Sequence, residues 1–282
     1  MEVGRSRVSV SFGRPMLVLG SCFADSIGRR MGMCGFDVVV NPLGTTYNPL
    51  SVVGSLGRVV SGRPFVVGDC VRVGAGDGRV CSFSHHTRHA RGSEEEFLEH
   101  ANGELSEAHR RWGGVEVVIV TLGTAWCFRH NVSGEVVTNC LKRPGGEFTR
   151  FRLSVGECVA ALEDVVSMAG GRDVIFTVSP IRHLADGAHG NAVSKATLLM
   201  AVEEVVGSHG AGVEYFPSFE IVCDELRDYR FYADDMTHPT SLAETYIFER
   251  FMDFGLPEGE RAQLEANIKL AKRQGHREGQ VL

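Results

Sequence analysis

The sequence has no apolar run approaching the roughly 20 consecutive residues that a membrane-spanning helix needs. It also lacks any C-x-x-C pair. The eight cysteines, at positions 22, 34, 70, 81, 127, 140, 158 and 223, stand singly, which argues against a zinc ribbon or a redox dithiol. There is no basic surplus: 29 Lys and Arg against 35 Asp and Glu leave a net charge of -6, so no global positive field draws nucleic acid or an anionic membrane. Internal repeats, low-complexity tracts and long linkers are missing as well. What is present is ordinary globular composition, 43% hydrophobic and 23% charged over 282 residues, enough for one large domain.

Leu19-Gly20-Ser21-Cys22 has the small-residue pattern that precedes a lipid-modified cysteine. Such a site needs roughly 7 to 15 apolar residues behind a basic start. Arg5 and Arg7 supply the start, but Arg14 and Pro15 leave only Met16 to Leu19 as continuous apolar sequence. The segment therefore reads as a first buried strand. With no signal peptide in this reading, reduced thiols and a cytoplasmic location are expected, and the basic stretch 269–282 reads as a solvated end.

Five apolar, β-branched runs recur: "MLVLG" (16–20), "FDVVV" (36–40), "VEVVIVTLG" (115–123), "DVIFTVSP" (173–180) and "GVEYFP" (212–217). Without polar alternation they suit strands buried on both faces of a parallel sheet. Amphipathic helical patterns follow at 23–34, 154–169, 194–206 and 242–253, so the expected architecture is a doubly wound α/β domain. Two stretches, 71–83 and 126–143, pair strand-like segments around Gly-containing turns and read as inserted β-hairpins walling a pocket at the strands' carboxyl ends. The chain is expected to form one domain over 1–282, with 258–282 as a peripheral helix and tail.

The passage from strand to helix at Ser21 has two readings. The serine either caps the helix or exposes a nucleophilic hydroxyl where backbone N–H groups and the positive helix end hold an oxyanion. A nucleophile needs a base. "DDMTHPTSLAE" (234–244) supplies one candidate, since Asp235 lies three residues before His238, and Pro239 and the capping-box pattern Ser241-x-x-Glu244 fix both ahead of a helix. The carboxylate would orient the imidazole, which takes the nucleophile's proton and returns it to a leaving group; the alternative is a plain surface turn. Cys22 is also placed at a helix N-terminus, where thiols are activated, but is expected to turn into the core. In "CSFSHHTRHA" (81–90), His85, His86 and His89 come without a helix or carboxylate partner, so no metal site is expected.

Gly20-Ser21-Cys22-Phe23-Ala24 spells the motif of the GSCFA family, which the chain resembles. "NPLGTTYNPLS" (41–51), "LGTAWCF" (122–128), "SPIRHLADGAHGNAVSKATLL" (179–199) and "DELRDYRFYADDMTHP" (224–239) match the same pattern in the same order, over almost the whole chain. The family looks like a branch of the SGNH, or GDSL-like, hydrolases. The resemblance implies a flavodoxin-like, three-layer α/β/α sandwich with a central parallel sheet, and an ester hydrolase that uses no cofactor. It implies Ser21 as nucleophile, His238 as base and Asp235 as its orienting acid. It also implies a pocket wall at the histidine-rich stretch, presenting His85 or His86 to a small acyl ester such as an O-acetylated sugar.

By the same resemblance, Gly44 is expected to donate a backbone N–H to the oxyanion. Ala125 stands where an asparagine donor is expected, and loss of such a donor costs roughly 3 kcal/mol where it has been tested. Candidate replacements are Asn41, Asn48 and Thr124, with Arg182, His183 and Asn191 in the loop after the fourth parallel strand expected to meet substrate. Two other outcomes fit: an acyltransferase using the same triad, or a ligand-binding module that keeps the fold without efficient catalysis.

Overall fold

A computed structural model describes residues 2–75 and 78–278. The strands in chain order are β1 (Met16–Gly20), β2 (Val38–Val40), β3 (Val71–Arg72), β4 (Val80–Cys81), β5 (Val117–Leu122), β6 (Trp126–His130), β7 (Val136–Val137), β8 (Phe148–Arg152), β9 (Asp173–Val178) and β10 (Val213–Phe216). The helices are α1 (Cys22–Met33), α2 (Pro49–Ser61), α3 (Glu94–Trp112), α4 (Val155–Ala169), α5 (Gly187–His209), the single turn α6 (Ser218–Glu220), α7 (Ser241–Gly255) and α8 (Arg261–Glu278).

The five apolar runs form one parallel sheet in the order β10-β9-β5-β1-β2. Successive side chains on a strand point to opposite faces, and the core divides accordingly. Leu17, Leu19, Val118, Val120 and Phe176 pack with Leu56 of α2, Phe97 of α3, Leu162 of α4 and Leu198 of α5. Met16, Val18, Val117, Ile119 and Ile175 face the other way, against Ile27 of α1 and Phe248 and Phe251 of α7. Each such aliphatic side chain contributes roughly 1.5–3 kcal/mol when fully buried. The result is the expected three-layer α/β/α sandwich.

Numbered among themselves, the five parallel strands run 2-1-3-4-5. The winding reverses between β1 and β5, and chains leaving their carboxyl ends part to opposite faces, which opens a crevice there. Ser21 and Cys22 follow β1; Gly123 and Thr124 follow β5.

The 71–83 stretch pairs β3 with β4 antiparallel; its tip, residues 76–77, lies outside the described residues. In the 126–143 stretch β6 pairs with β7 as expected, but β8 adds a third strand along the other edge of β6. Two further helices, α2 and α3, were not expected, and α5 begins seven residues before the predicted 194. The cap of α7 is Thr240 rather than Ser241: its Oγ1 accepts from the Ala243 N–H, 3.3 Å away. Helix α8 lies on α1, tied by Asn267 Nδ2 donating to the Cys34 carbonyl at 2.7 Å; the tail at 279–282 lies outside the described residues. No described helix is long and apolar enough to cross a membrane.

Candidate active site

The crevice is built first by two backbone approaches. Gly20, at the end of β1, has φ +140, and a Cβ there would lie 2.2 Å from the Thr121 carbonyl oxygen of β5; only glycine fits. Its N–H donates to Asn41 Oδ1 at 2.8 Å, and Asn41 Nδ2 donates to Asp25 of α1 at 2.6 Å. Asn41 thereby fastens the end of β1 and the first turn of α1 to the chain leaving β2. With φ +40 and both amide groups committed, it is a positioning residue and not the free oxyanion donor the sequence allowed.

Ser21 and Cys22 then point in different directions. Ser21 takes the N-cap backbone position, φ -66 and ψ 176, but its side chain makes no capping bond. The residue is 1% exposed and its hydroxyl has no hydrogen-bond partner among the described residues. A Cβ on Gly123 would lie 3.5 Å from Ser21 Cβ, so the serine sits under the loop after β5. Cys22, expected in the core, is half-buried and lines the cavity, because the first residue of α1 faces the crevice. Its Sγ is 3.5 Å from His238 Nε2. The structure thus brings His238 to Cys22 and not to the Ser21 hydroxyl.

His238 and Asp235 meet as expected. The Asp235 carboxylate can only accept, so His238 Nδ1 donates to Oδ2 at 2.6 Å, leaving Nε2 as the proton acceptor aimed at the crevice. Oδ1 accepts the backbone N–H groups of Thr237 and His238 at 2.8 and 3.0 Å. Those bonds, led by the His238 amide, hold the Asp235 carboxyl down to about 2, so it is ionised at neutral pH. The Cys22 thiol is pushed up, mainly by burial and also by Asp25, while the amides of Cys22 and Phe23 work against that shift. The thiol that faces His238 Nε2 therefore holds its proton more tightly than a free cysteine does.

The cavity these groups open into holds about 570 Å³. Its floor and rim include Tyr47, Asn48, Thr124, Trp126, Arg150 and His183. Thr124 is present but engaged: its Oγ1 accepts from Trp126 N and lies 3.0 Å from Ser194 Oγ. Ser194 also accepts the Ala125 N–H, at 2.8 Å. Asn48 caps α2, Oδ1 accepting from Ser51 N at 2.9 Å, and its Nδ2 makes no hydrogen bond among the described residues. Arg182 lines the cavity with its guanidinium 3.9 Å from the Tyr232 ring centre. His183 also reaches the site; its backbone N–H is held by Asn191 Oδ1 at 3.0 Å, which makes Asn191 a support. Burial, with Lys195 adding to it, pushes the His183 imidazole down to about 4, so it is neutral, and its Nε2 is buried without a partner among the described residues.

Three expectations are corrected. Gly44 does not offer its N–H, which donates to the Asn41 carbonyl at 2.8 Å; its φ of +96 instead lets the loop pass close under His86. His85 is fully buried, its ring 4.6 Å from that of Phe65 and 5.2 Å from that of Phe97, with Nδ1 on Ser82 Oγ at 2.7 Å. His86 Nδ1 accepts the Arg88 N–H at 3.2 Å and starts a short 3-10 turn. Neither histidine lines the cavity. Among the described residues no group of histidine, cysteine and carboxylate side chains could hold a metal ion.

Sequence reasoning missed Lys195. It is fully buried beneath the site, donating to the carbonyls of Gly123 and Ser179 at 2.6 Å each, and burial pushes its amine down to about 7. A lysine inside an amphipathic helix carries no signal of such a place.

The GSCFA family model matches residues 15–251, from β1 to within α7, and includes every residue of the crevice. The chain belongs to the GSCFA family. No curated protein and no solved structure matches it. Within this GSCFA chain, the family's naming pentapeptide is the turn that divides its two polar side chains, one buried under the β5 loop and one facing His238.

Proposed function

We propose that this protein is a carboxylic ester hydrolase of the SGNH type, acting by covalent catalysis on an acyl ester of a small polar alcohol such as a sugar. The observation that carries the reading is the Asp235–His238 pair, with Nδ1 bound at 2.6 Å and Nε2 directed at the turn after β1. That arrangement meets the geometric requirement for a general base acting on a nucleophile at a helix N-terminus. The order of elements supports the SGNH assignment, with a nucleophile turn after the first strand and an acid and base just before the helix that closes the sheet.

Donors that could serve an oxyanion are at hand without an asparagine at 125, which supports the reading. The backbone N–H groups that open α1 lie beside the reacting centre, and Asn48 Nδ2 is the cavity amide with a donor to spare. The polar rim of Thr124, Thr138 and Arg150 suits a hydroxylated leaving group. Eight free thiols fit a reducing, cytoplasmic setting.

Purified protein is expected to release p-nitrophenol from short-chain p-nitrophenyl esters, and His238→Ala to lower kcat/KM by about 10²–10⁴. Equal turnover by the two proteins would sink the reading. Acyl release that rises with added sugar acceptors would convert hydrolysis into acyl transfer on the same machinery.

A further inference from the structure

We infer that Cys22, rather than Ser21, is the nucleophile that carries the acyl group. This rests on the reading of the crevice as an acyl-ester site and concerns which atom bonds to the acyl carbon. Three independent observations point the same way. Cys22 Sγ is the partner of His238 Nε2, at 3.5 Å, while that imidazole's other nitrogen is held by Asp235. Cys22 lines the cavity, whereas Ser21 does not, and the serine hydroxyl is sealed beneath the β5 loop. The sulfur also lies at the first residue of a twelve-residue helix, among its unpaired amides.

The other cysteines offer no such setting. Cys34, Cys81, Cys127 and Cys158 are buried, and among the described residues only Cys22 hydrogen-bonds a histidine side chain through its sulfur. The raised thiol fits a general-base route and not a resting ion pair: the proton leaves sulfur only as it attacks.

The chemistry then closes on itself. His238 Nε2 takes the Sγ proton as sulfur bonds to the ester carbonyl carbon. Collapse of the tetrahedral intermediate breaks the carbon–oxygen bond, and the alcohol leaves with the proton from Nε2. Water next gives a proton to Nε2 as its oxygen attacks the thioester. The carbon–sulfur bond breaks, the proton returns to Sγ, and the acyl group departs as the carboxylic acid.

The test uses wild type, Cys22→Ala, Cys22→Ser, Ser21→Ala and His238→Ala in two assays. In the first, p-nitrophenyl acetate is added, the reaction quenched and the acetylated peptide mapped. Acetyl is expected on Cys22, removable by neutral hydroxylamine as a thioester is. Turnover should fall at least 100-fold in Cys22→Ala and stay within tenfold of wild type in Ser21→Ala. Acetyl on Ser21, or turnover surviving in Cys22→Ala, overturns the inference. Cys22→Ser, nearly isosteric, controls for folding: a native melting temperature with lost or altered turnover supports it, whereas wild-type turnover that is lost on Ser21→Ala overturns it.

The second assay needs no ester. Iodoacetamide is expected to alkylate Cys22 at least tenfold faster in wild type than in His238→Ala, and equal rates overturn the inference. Absence of ester turnover with His238-dependent alkylation would defeat the esterase reading while leaving Cys22 as the activated nucleophile.

Discussion

Acid is expected to loosen this fold through two buried histidines, His85 and His89. Burial pushes both His85 and His89 down to about 3, with neighbouring positive and histidine groups adding to the shift. The unfolded chain takes up a proton on each near pH 6.5. A folded pKa below the unfolded one means that the unfolded state holds more protons between about pH 6.5 and 3. Stability is therefore fully present above pH 6.5 and is lost as pH falls through that window. At pH 5 each histidine costs the fold about 2 kcal/mol relative to pH 7.5, from roughly 1.4 kcal/mol per pH unit below 6.5. Two such losses amount to a large share of the 5–15 kcal/mol that typically separates folded from unfolded. Urea titrations at pH 7.5, 6 and 5 measure this directly. Other groups titrate over the same range, so the decisive quantity is a difference. His85→Leu keeps an apolar contact with Phe65 and Phe97 and loses the Ser82 bond. It should be less stable than wild type at pH 7.5 but lose about 2 kcal/mol less between pH 7.5 and 5. Parallel stability curves for the two proteins would refute the reasoning.

Three further outcomes follow from the site. Asp235→Asn removes the charge that fixes the His238 tautomer and should lower kcat by about 10²–10⁴ with little change in KM; steady-state kinetics with less than a tenfold loss would contradict that role. On the proposed oxyanion role, Asn48→Ala is expected to lower kcat about 10²–10³, again with KM nearly constant, because such an amide would act on charge that develops only in the transition state. A pure KM effect would instead make Asn48 a substrate-binding group. Asn41→Ala strips the Gly20 N–H of its acceptor and Asp25 of a donor, and places alanine at φ +40. It should lower stability by about 3 kcal/mol, and a chemical-denaturation midpoint within error of wild type would argue against Asn41 as the fastening.

The strands were legible because burial on both faces leaves an apolar, β-branched record that needs no partner to be read. The Asp235–His238 contact was legible for a different reason: the two residues are three apart in one turn, so their meeting is local. What failed to show depends on long-range packing. His85, in a polar-looking run, is buried only because Phe65 and Phe97, from segments on either side of it, close over it. β8 pairs with β6 across a loop, which no local pattern reports. Helix α2 is the exception, since Asn48, Pro49 and the left-handed Gly62 are ordinary start and stop signals that lie in the sequence.

Ser21 and Cys22 are neighbours in sequence, yet the fold asks different things of them. The Tyr47 carbonyl accepts both the Gly123 and Thr124 N–H groups at 2.8 Å, pulling the end of β5 against the loop that carries Asn48. That closure leaves space under Gly123 for only a small side chain at position 21, which serine provides at the cost of an unmet hydroxyl. One residue on, α1 has begun, the next side chain turns toward the crevice, and His238 is waiting there from over two hundred residues away. Position 21 is thus constrained by packing, and on the proposed reading position 22 is constrained by chemistry. On this argument Ser21→Ala should preserve both fold and turnover, whereas a larger side chain at 21 should part the β5 loop from Asn48 and weaken catalysis without touching the nucleophile.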